Sequence, residues 1–117
     1  MSTDKHGTSV SVVKEEHLHR FSLRYPDTAE LAGFTEYRDR EGERIFFHTE
    51  IDEAFGGRGL AGIVVTQALA ATTAEGLKIV AVCPFVKTHL ERKGHDGPFR
   101  NPTPADITWI RGELEGE

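Results

Sequence analysis

A glycine-rich segment at residues 55–62, Phe-Gly-Gly-Arg-Gly-Leu-Ala-Gly, separates two parts of the chain that have different hydrophobic patterns. Before it, residues 9–51 alternate polar and apolar side chains, as β-strands with one buried face do. After it, the stretch that runs to Gly76 has the wide apolar face of a helix that packs on a sheet. The apolar run Lys-Ile-Val-Ala-Val-Cys-Pro-Phe at residues 78–85 then predicts a central strand that is buried on both faces. These patterns limit the possible folds to a sheet whose last part in sequence is one βαβ unit.

Four strand-like stretches precede the glycine-rich segment, and their connections are too short for parallel crossovers, so we expect an antiparallel meander. A shorter amphipathic helix is predicted over residues 85–94, and residues 105–114 predict a final helical turn or short strand. The predicted fold class is α/β, in the α+β sense, with a mixed, mostly antiparallel sheet and the order β-β-β-β-α-β-α. The four stretches are residues 9–16, 19–25, 31–40 and 44–51.

The length of 117 residues fits one domain and is too short for two. We expect a flexible N-terminus at residues 1–8, a domain at residues 9–93, and a C-terminal loop and docking segment of the same domain at residues 94–117. A chain of this size buries enough surface to form a core without metals or disulfides. An exposed edge strand and the small size are compatible with a monomer or a homodimer.

Composition and charge exclude several classes of function. The single cysteine, Cys83, excludes a disulfide framework and favours a reducing, cytoplasmic setting. The formal net charge of −5 argues against nonspecific nucleic-acid binding. No apolar run approaches the roughly 20 residues that span a bilayer, and the polar first residues are unlike a secretory signal, so neither a membrane span nor secretion is expected. His17 and His19 share a face of a predicted strand, but zinc usually takes three or four protein ligands, so no metal site is predicted.

The glycine-rich segment has the chemistry of an anion site. Gly57 and Gly59 allow a ligand to approach the backbone, and the first amides of the following helix point at that ligand. Arg58 adds a cation to the positive end of the helix dipole. The spacing fits neither the P-loop pattern nor the dinucleotide pattern Gly-x-Gly-x-x-Gly. A tight turn with glycines for steric reasons is the alternative interpretation.

Three motifs in a fixed order give the chain a recognisable resemblance. They are His-Thr-Glu-Ile at residues 48–51, Gly-Gly-Arg-Gly-Leu-Ala at residues 56–61 and Cys-Pro-Phe at residues 83–85. Together they resemble the GCN5-related N-acetyltransferase superfamily, and in particular its small single-domain branch. The resemblance covers roughly residues 15–93. Larger members of the superfamily place helices between the first two strands, so the strands and turns of residues 9–51 leave the expected acceptor side open.

The resemblance implies a site for acetyl-CoA between two strands that splay apart. Loop amides would hold the pyrophosphate, and pantetheine would pair with the backbone near Glu50 and Ile51 like an extra strand. Gly56 stands where the superfamily usually has Gln or Arg, and Arg58 is expected to compensate. The implied residues of the coenzyme A site are Glu50, Ile51, Gly56, Gly57, Arg58, Gly59, Leu60, Ala61, Cys83 and Pro84.

Four side chains are candidates for the chemistry. Cys83 accepts the acetyl group as a thiolate, protonates the leaving coenzyme A, or only lines the pocket. His48 is a candidate base for the acceptor amine or an activator of Cys83, and Glu50, two residues on, shares its strand face. His89 takes the place of an aromatic residue that close relatives often carry, and is a candidate acid for the leaving coenzyme A. Each has a purely structural alternative.

The predicted function is acetyl-CoA-dependent N-acetyl transfer to an unidentified amine of a small molecule or protein, either directly or through Cys83. The attack would generate an oxyanion that a strand amide stabilises. The alternative is a non-catalytic coenzyme A-binding or interaction module, and a third possibility is a βαβ interaction domain that binds no coenzyme A.

Overall fold

The computed structural model describes residues 2–116, in which seven strands form one mixed sheet and each strand lies beside its neighbours in sequence. The first five strands pair antiparallel, and the last three pair parallel to one another. This confirms the predicted fold class. The strands are β1 (Ser2–Thr3), β2 (Ser9–Glu15), β3 (Arg20–Tyr25), β4 (Glu30–Arg40), β5 (Glu43–Ile51), β6 (Lys78–Ala81) and β7 (Phe99–Arg100).

The predicted meander corresponds to β2–β5 and is confirmed. The β4–β5 hairpin turns at Glu41 and Gly42, whose φ angles of 47° and 80° are those of a tight turn that matches strand twist. The β4–β5 register shifts between Glu36, which faces His48, and Tyr37, which faces Phe46. Phe47 is therefore an extra residue in β5, and this bulge turns the end of the strand.

Within the described part of the chain, three α-helices cover the two faces of the sheet: α1 (Leu60–Ala74), α2 (Pro84–Lys93) and α3 (Pro104–Glu115). The larger core cluster joins α1 and α2 to β2–β6, with Phe46, Val64 and Val86 all fully buried. The smaller cluster lies on the opposite face, where Ile110 of α3 packs on Ile45 and Val80. None of the helices within residues 2–116 is long and apolar enough to cross a membrane.

The strand predicted over residues 78–85 is shorter than expected. Strand β6 ends at Ala81, Cys83 is the N-cap of α2, and Pro84 occupies its first turn. Proline has no amide hydrogen to donate to a sheet, and its fixed φ suits the first turn of a helix. The amides of Val82 and Cys83 both donate to the carbonyl of Phe46, at 3.0 and 2.8 Å, which closes the strand.

Both ends of the described chain differ from the expectation. Residues 2–8, expected to be flexible, include β1, which pairs with β2, and Asp4, which is only 5% exposed. Residues 105–114 lie in the full helix α3, because Thr103 and Asp106 form a capping box. His17 lies in a 3-10 turn and His19 has a φ of 52°, so the two do not share a strand face. Residues 1 and 117 lie outside the described range, and the division at residues 8 and 93 stays a prediction.

Candidate functional site

The parallel pair β5–β6 separates at the end of β6. Their register runs from Glu43 opposite Lys78 to Phe46 opposite Ala81, whereas β4 stays paired with β5 as far as Ile51. From residue 47 to residue 51, one edge of β5 is therefore paired with β4. The opposite edge has no β6 beside it and is free. A free strand edge offers amides and carbonyls to any extended ligand.

The glycine loop lies directly after this free edge. Asp52 caps a short 3-10 turn, Glu53–Phe55, and α1 begins at Leu60. Gly57 and Gly59 have φ angles of 76° and 75°, which favour glycine, and a Cβ at Gly57 would meet no atom within 4 Å. No side chain among the described residues caps the first turn of α1, so its leading amides are available to an anion.

Two connected concavities surround the loop. A cavity of about 260 Å³ lies between Ile51, Phe55, Phe85 and the loop. A groove of about 440 Å³ continues between α1 and α2, and shares Ala61, Gly62 and Phe85 with the cavity. Arg92 and Lys93 give the groove two cations. The remaining lining residues of the groove are Val65, Pro84, Thr88 and His89.

The side chain of Arg58 is committed to neighbouring groups. Its Nη1 donates to the Tyr25 hydroxyl at 3.0 Å, and that hydroxyl donates to Asp4 Oδ2 at 2.7 Å. The guanidinium also lies over the Phe55 ring, 5.1 Å from the centroid. The hydrogen bond from Tyr25 holds the pKa of Asp4 below its usual range, so the carboxylate stays charged beside Arg58. These contacts anchor the loop, and the expected contact of Arg58 with an anion stays a prediction.

Cys83 is sealed against the sheet. It is 1% exposed, and its Sγ donates to Thr49 Oγ1 at 3.2 Å. Thr49 Oγ1 in turn lies 2.9 Å from Thr35 Oγ1, which is also buried. The sulfur thus contacts the Thr49 hydroxyl, which does not activate a thiol as a nearby imidazole or cation does.

His48 and Glu50 lie together on the other face of β5. Their side chains are 48% and 61% exposed, and His48 Nε2 lies 3.4 Å from Glu50 Oε1. The His48 ring packs near the Phe34 ring, with centroids 6.0 Å apart. The alternative role of His48 as an activator of Cys83 is therefore contradicted, because Thr49 faces Cys83 and successive residues of a strand point to opposite faces. The shared face of His48 and Glu50, predicted from period two, is confirmed.

His89 lies in α2, half-buried on the wall of the groove. Burial, and then the nearby charge of Lys93, lower its pKa from 6.5. It follows Cys83 by six positions along the helix, a rise of about 9 Å, so it is distant from the diverging strand ends. A neutral imidazole there is better suited to contact a ligand in the groove than to act as an acid at neutral pH.

Two features of the site were missed by sequence reasoning. Thr49 is the hydrogen-bond partner of Cys83. The bulge at Phe47 determines on which face of β5 Thr49 lies, and the alternation of polar and apolar residues does not reveal this bulge. Lys5 lies over the loop: its Cε would be 3.2 Å from a Cβ at Gly59, and its amide donates to the Arg58 carbonyl at 3.1 Å. Contacts between such distant positions have no local sequence signal.

A mixed sheet whose parallel pair opens beside an uncapped helix N-terminus defines an acyltransferase-like architecture. A family model described as GCN5-related N-acetyl-transferase matches residues 20–96. The chain therefore belongs to the GCN5-related N-acetyltransferase family, whose fold serves acyl transfer. No curated protein sequence matches the chain significantly.

Two solved structures are similar to the chain. The NMR solution structure of a GCN5-like protein from Staphylococcus aureus has a TM-score of 0.59 and 20% identity, over 80% of this chain and 91% of that one. A GCN5-related N-acetyltransferase from Sphaerobacter thermophilus has a TM-score of 0.47 and 14% identity, over 50% of this chain. This chain spans only 18% of the length of the Sphaerobacter protein. The Staphylococcus structure supports the fold.

Proposed function

We propose that the chain is an acetyl-CoA-dependent N-acetyltransferase that moves the acetyl group directly to an amine. The observation that carries this proposal is the free edge of β5 beyond Phe46, which lies next to the uncapped start of α1. An extended thioester ligand with a pyrophosphate needs both features at once. Family membership adds independent support.

The residues around the opening fit coenzyme A. The amides from Gly57 to Ala61 would hold the pyrophosphate, because Gly57 leaves open space above the loop and the helix dipole favours negative charge. The backbone of Glu50 and Ile51 would pair with the pantetheine amides. Cys83, Pro84 and Gly56 would border the same opening, and the groove between α1 and α2 would take the rest of the cofactor.

Direct transfer is favoured over a route through Cys83. The bound cofactor supplies an acyl group activated as a thioester. A thiolate at Cys83 would need a base or a cation, and its contact is the Thr49 hydroxyl. We assign Cys83 to the wall of the pocket. His48 and Glu50 stay open to solvent beside the strand end, where either is able to take the proton of an arriving amine, directly or through water.

The acceptor is proposed to enter from the side that carries His48 and Glu50. Residues 9–51 contribute strands and short turns there, so this part of the chain adds no α-helix beside His48 and Glu50. An open approach suits amines of different size, on a small molecule or on a protein.

Calorimetry with acetyl-CoA and coenzyme A tests the cofactor site. Gly59→Val should abolish measurable binding, because a branched side chain at a φ of 75° is strained and lies in the loop. Gly76→Val is the matched control, since Gly76 has a φ of 79° and open space but lies at the far end of α1. Equal loss in both variants, or no binding by the wild type, would contradict the proposed site.

An amine panel with mass-spectrometric detection then tests catalysis. We expect acetylated amine from the wild type and from Cys83→Ala, with no acetyl group retained on Cys83. An acetylated Cys83 and an inactive Cys83→Ala would establish the covalent route instead. Tight coenzyme A binding with no acetylated amine from any member of the panel would favour the non-catalytic binding module.

A further inference from the structure

The N-terminal segment forms a built structure on the glycine loop. Residues 4–8 close a turn in which Asp4 Oδ1 accepts from the amides of His6 and Thr8, at 2.8 and 2.9 Å. Asp4 Oδ2 accepts from the Tyr25 hydroxyl, which also accepts from Arg58. We call residues 2–8 the N-terminal hook. Because its central carboxylate is buried and shared with Arg58, the hook and the loop hold each other in place.

The hook delivers one side chain to the loop itself. The Lys5 amide donates to the Arg58 carbonyl, and the Lys5 alkyl chain lies along Gly59, with Cγ 3.4 Å and Cε 3.2 Å from the position of a Cβ there. The Nζ atom is bonded to Cε and therefore lies within one bond length of this contact with Gly59, the N-cap residue of α1. Among residues 2–116, no carboxylate forms an ion pair with Lys5.

The loop needs a cation from elsewhere in the chain. Gly56 has no side chain to offer, and Arg58 is bound to Tyr25 and faces Asp4 at 3.9 Å. Asp52 and Glu53 put two exposed carboxylates immediately before the loop, in a chain with a net charge of −5. Amides and a helix dipole would face a doubly charged pyrophosphate in this acidic surrounding, so an ammonium beside Gly59 would supply a charge that these groups lack.

We propose that Lys5 is a cofactor-binding residue whose ammonium contacts the pyrophosphate of coenzyme A, and that the N-terminal hook is therefore part of the cofactor site. This rests on the proposed function, because it assumes that the loop holds coenzyme A. The Asp4–Tyr25–Arg58 chain is the positioning element, since it fixes the hook on which Lys5 is mounted.

The test is calorimetric titration of coenzyme A and dephospho-coenzyme A, which share the pyrophosphate and differ in the 3′-phosphate. Lys5→Met keeps an alkyl chain over Gly59 and removes the charge, whereas Lys5→Arg keeps a charge. Lys78→Met is the control, because Lys78 is exposed and starts β6 at the opposite end from the site. Dissociation constants at low and high salt separate charge from packing.

Lys5→Met should weaken both ligands by about tenfold at low salt and by less at high salt, as expected for one charge-assisted contact. Lys5→Arg and Lys78→Met should bind like the wild type. Wild-type affinity in Lys5→Met would overturn the proposal while leaving the proposed function intact. Weaker binding of coenzyme A alone would also overturn it, since Lys5 would then contact the 3′-phosphate. No binding by the wild type would refute the proposed function itself.

Discussion

Strand β5 has two halves with different surroundings. The first half, Glu43–Phe46, lies between β4 and β6, and its Arg44 is 1% exposed and bonded to both Asp39 and Glu75. The second half, residues 47–51, is paired with β4 on one edge, and its polar side chains, His48 and Glu50, are exposed to solvent. A single strand thus anchors the fold with its first half and presents a free edge with its second half. We therefore expect changes in the first half to act on stability and changes in the second half to act on activity.

Arg44→Met gives the largest expected effect. Arg44 Nε and Nη2 contact Asp39 at 2.7 and 2.9 Å, Nη1 contacts Glu75 at 2.8 Å, and the guanidinium lies 4.3 Å from the Tyr37 ring centroid. Its removal deprives Asp39 of its ion-pair partner, leaves Glu75 with Lys14 alone and should lower the free energy of unfolding by about 3 kcal/mol. Urea denaturation measures this loss. Because the second half of β5 stays intact, kcat of the folded fraction should be unchanged, and a large fall in kcat would break the comparison.

Substitution of the amine-proton acceptor comes next. If Glu50 or His48 is the base, the matching variant, Glu50→Gln or His48→Gln, should lower kcat by about 100-fold. The low-pH limb of kcat/KM should disappear in that variant and persist in the other. Both side chains are about half exposed or more, so the midpoint of urea denaturation should stay that of the wild type. Two fully active variants would remove both residues from the chemistry.

Gly33→Ala tests the second half of β5 by changing its contact with β4, on the edge opposite the free one. Gly33 faces Ile51 across the β4–β5 pair, and a Cβ there would lie 2.5 Å from the Glu50 carbonyl oxygen and 2.5 Å from Ile51 Cδ1. The β5 backbone must move, which should cost about 1–3 kcal/mol of folding free energy and weaken coenzyme A binding. Gly112→Ala in α3 is the control, because a Cβ there meets nothing within 4 Å. Unchanged affinity in Gly33→Ala would show that the position of Glu50 and Ile51 does not matter for the cofactor.

Most of the structure around the first half of β5 could be predicted from the sequence. Alternation at period two predicted the strands, and the short connections between them predicted the antiparallel meander, because local geometry decides both. The glycine loop and the start of α1 were also predicted, since positive φ favours glycine.

The surroundings of the second half of β5 could be predicted only in part. The bulge at Phe47 moves Thr49 to the face of Cys83 and leaves His48 on the opposite face, which no count of residues along one strand reveals. The role of Arg58 depends on Asp4 and Tyr25, which lie far from it in sequence. These contacts arise when the sheet forms, so a single sequence could not predict them.

Glu75→Gln gives the smallest effect and the clearest pH dependence. Arg44 above all, with Lys14, lowers the pKa of Glu75 from 4.5 to about 2. A carboxyl whose pKa is lower in the folded state stabilises the fold above its unfolded pKa, and this stabilisation is lost as the pH falls from about 4.5 towards 2. Glu75 is 37% exposed, so solvent screening limits its contribution to about 1 kcal/mol or less.

Urea denaturation between pH 6 and pH 3 measures this contribution as the difference between the wild type and Glu75→Gln. The difference should be constant at the upper end of the range and shrink steadily at the lower end. Glu91→Gln, at an exposed position of α2, should show no such trend. A difference that grows on acidification would contradict the ion pair. Binding of coenzyme A at pH 6 should be the same in all three proteins, because Glu75 lies beyond the end of α1 that is far from the loop, where its side chain pairs with Arg44 and Lys14.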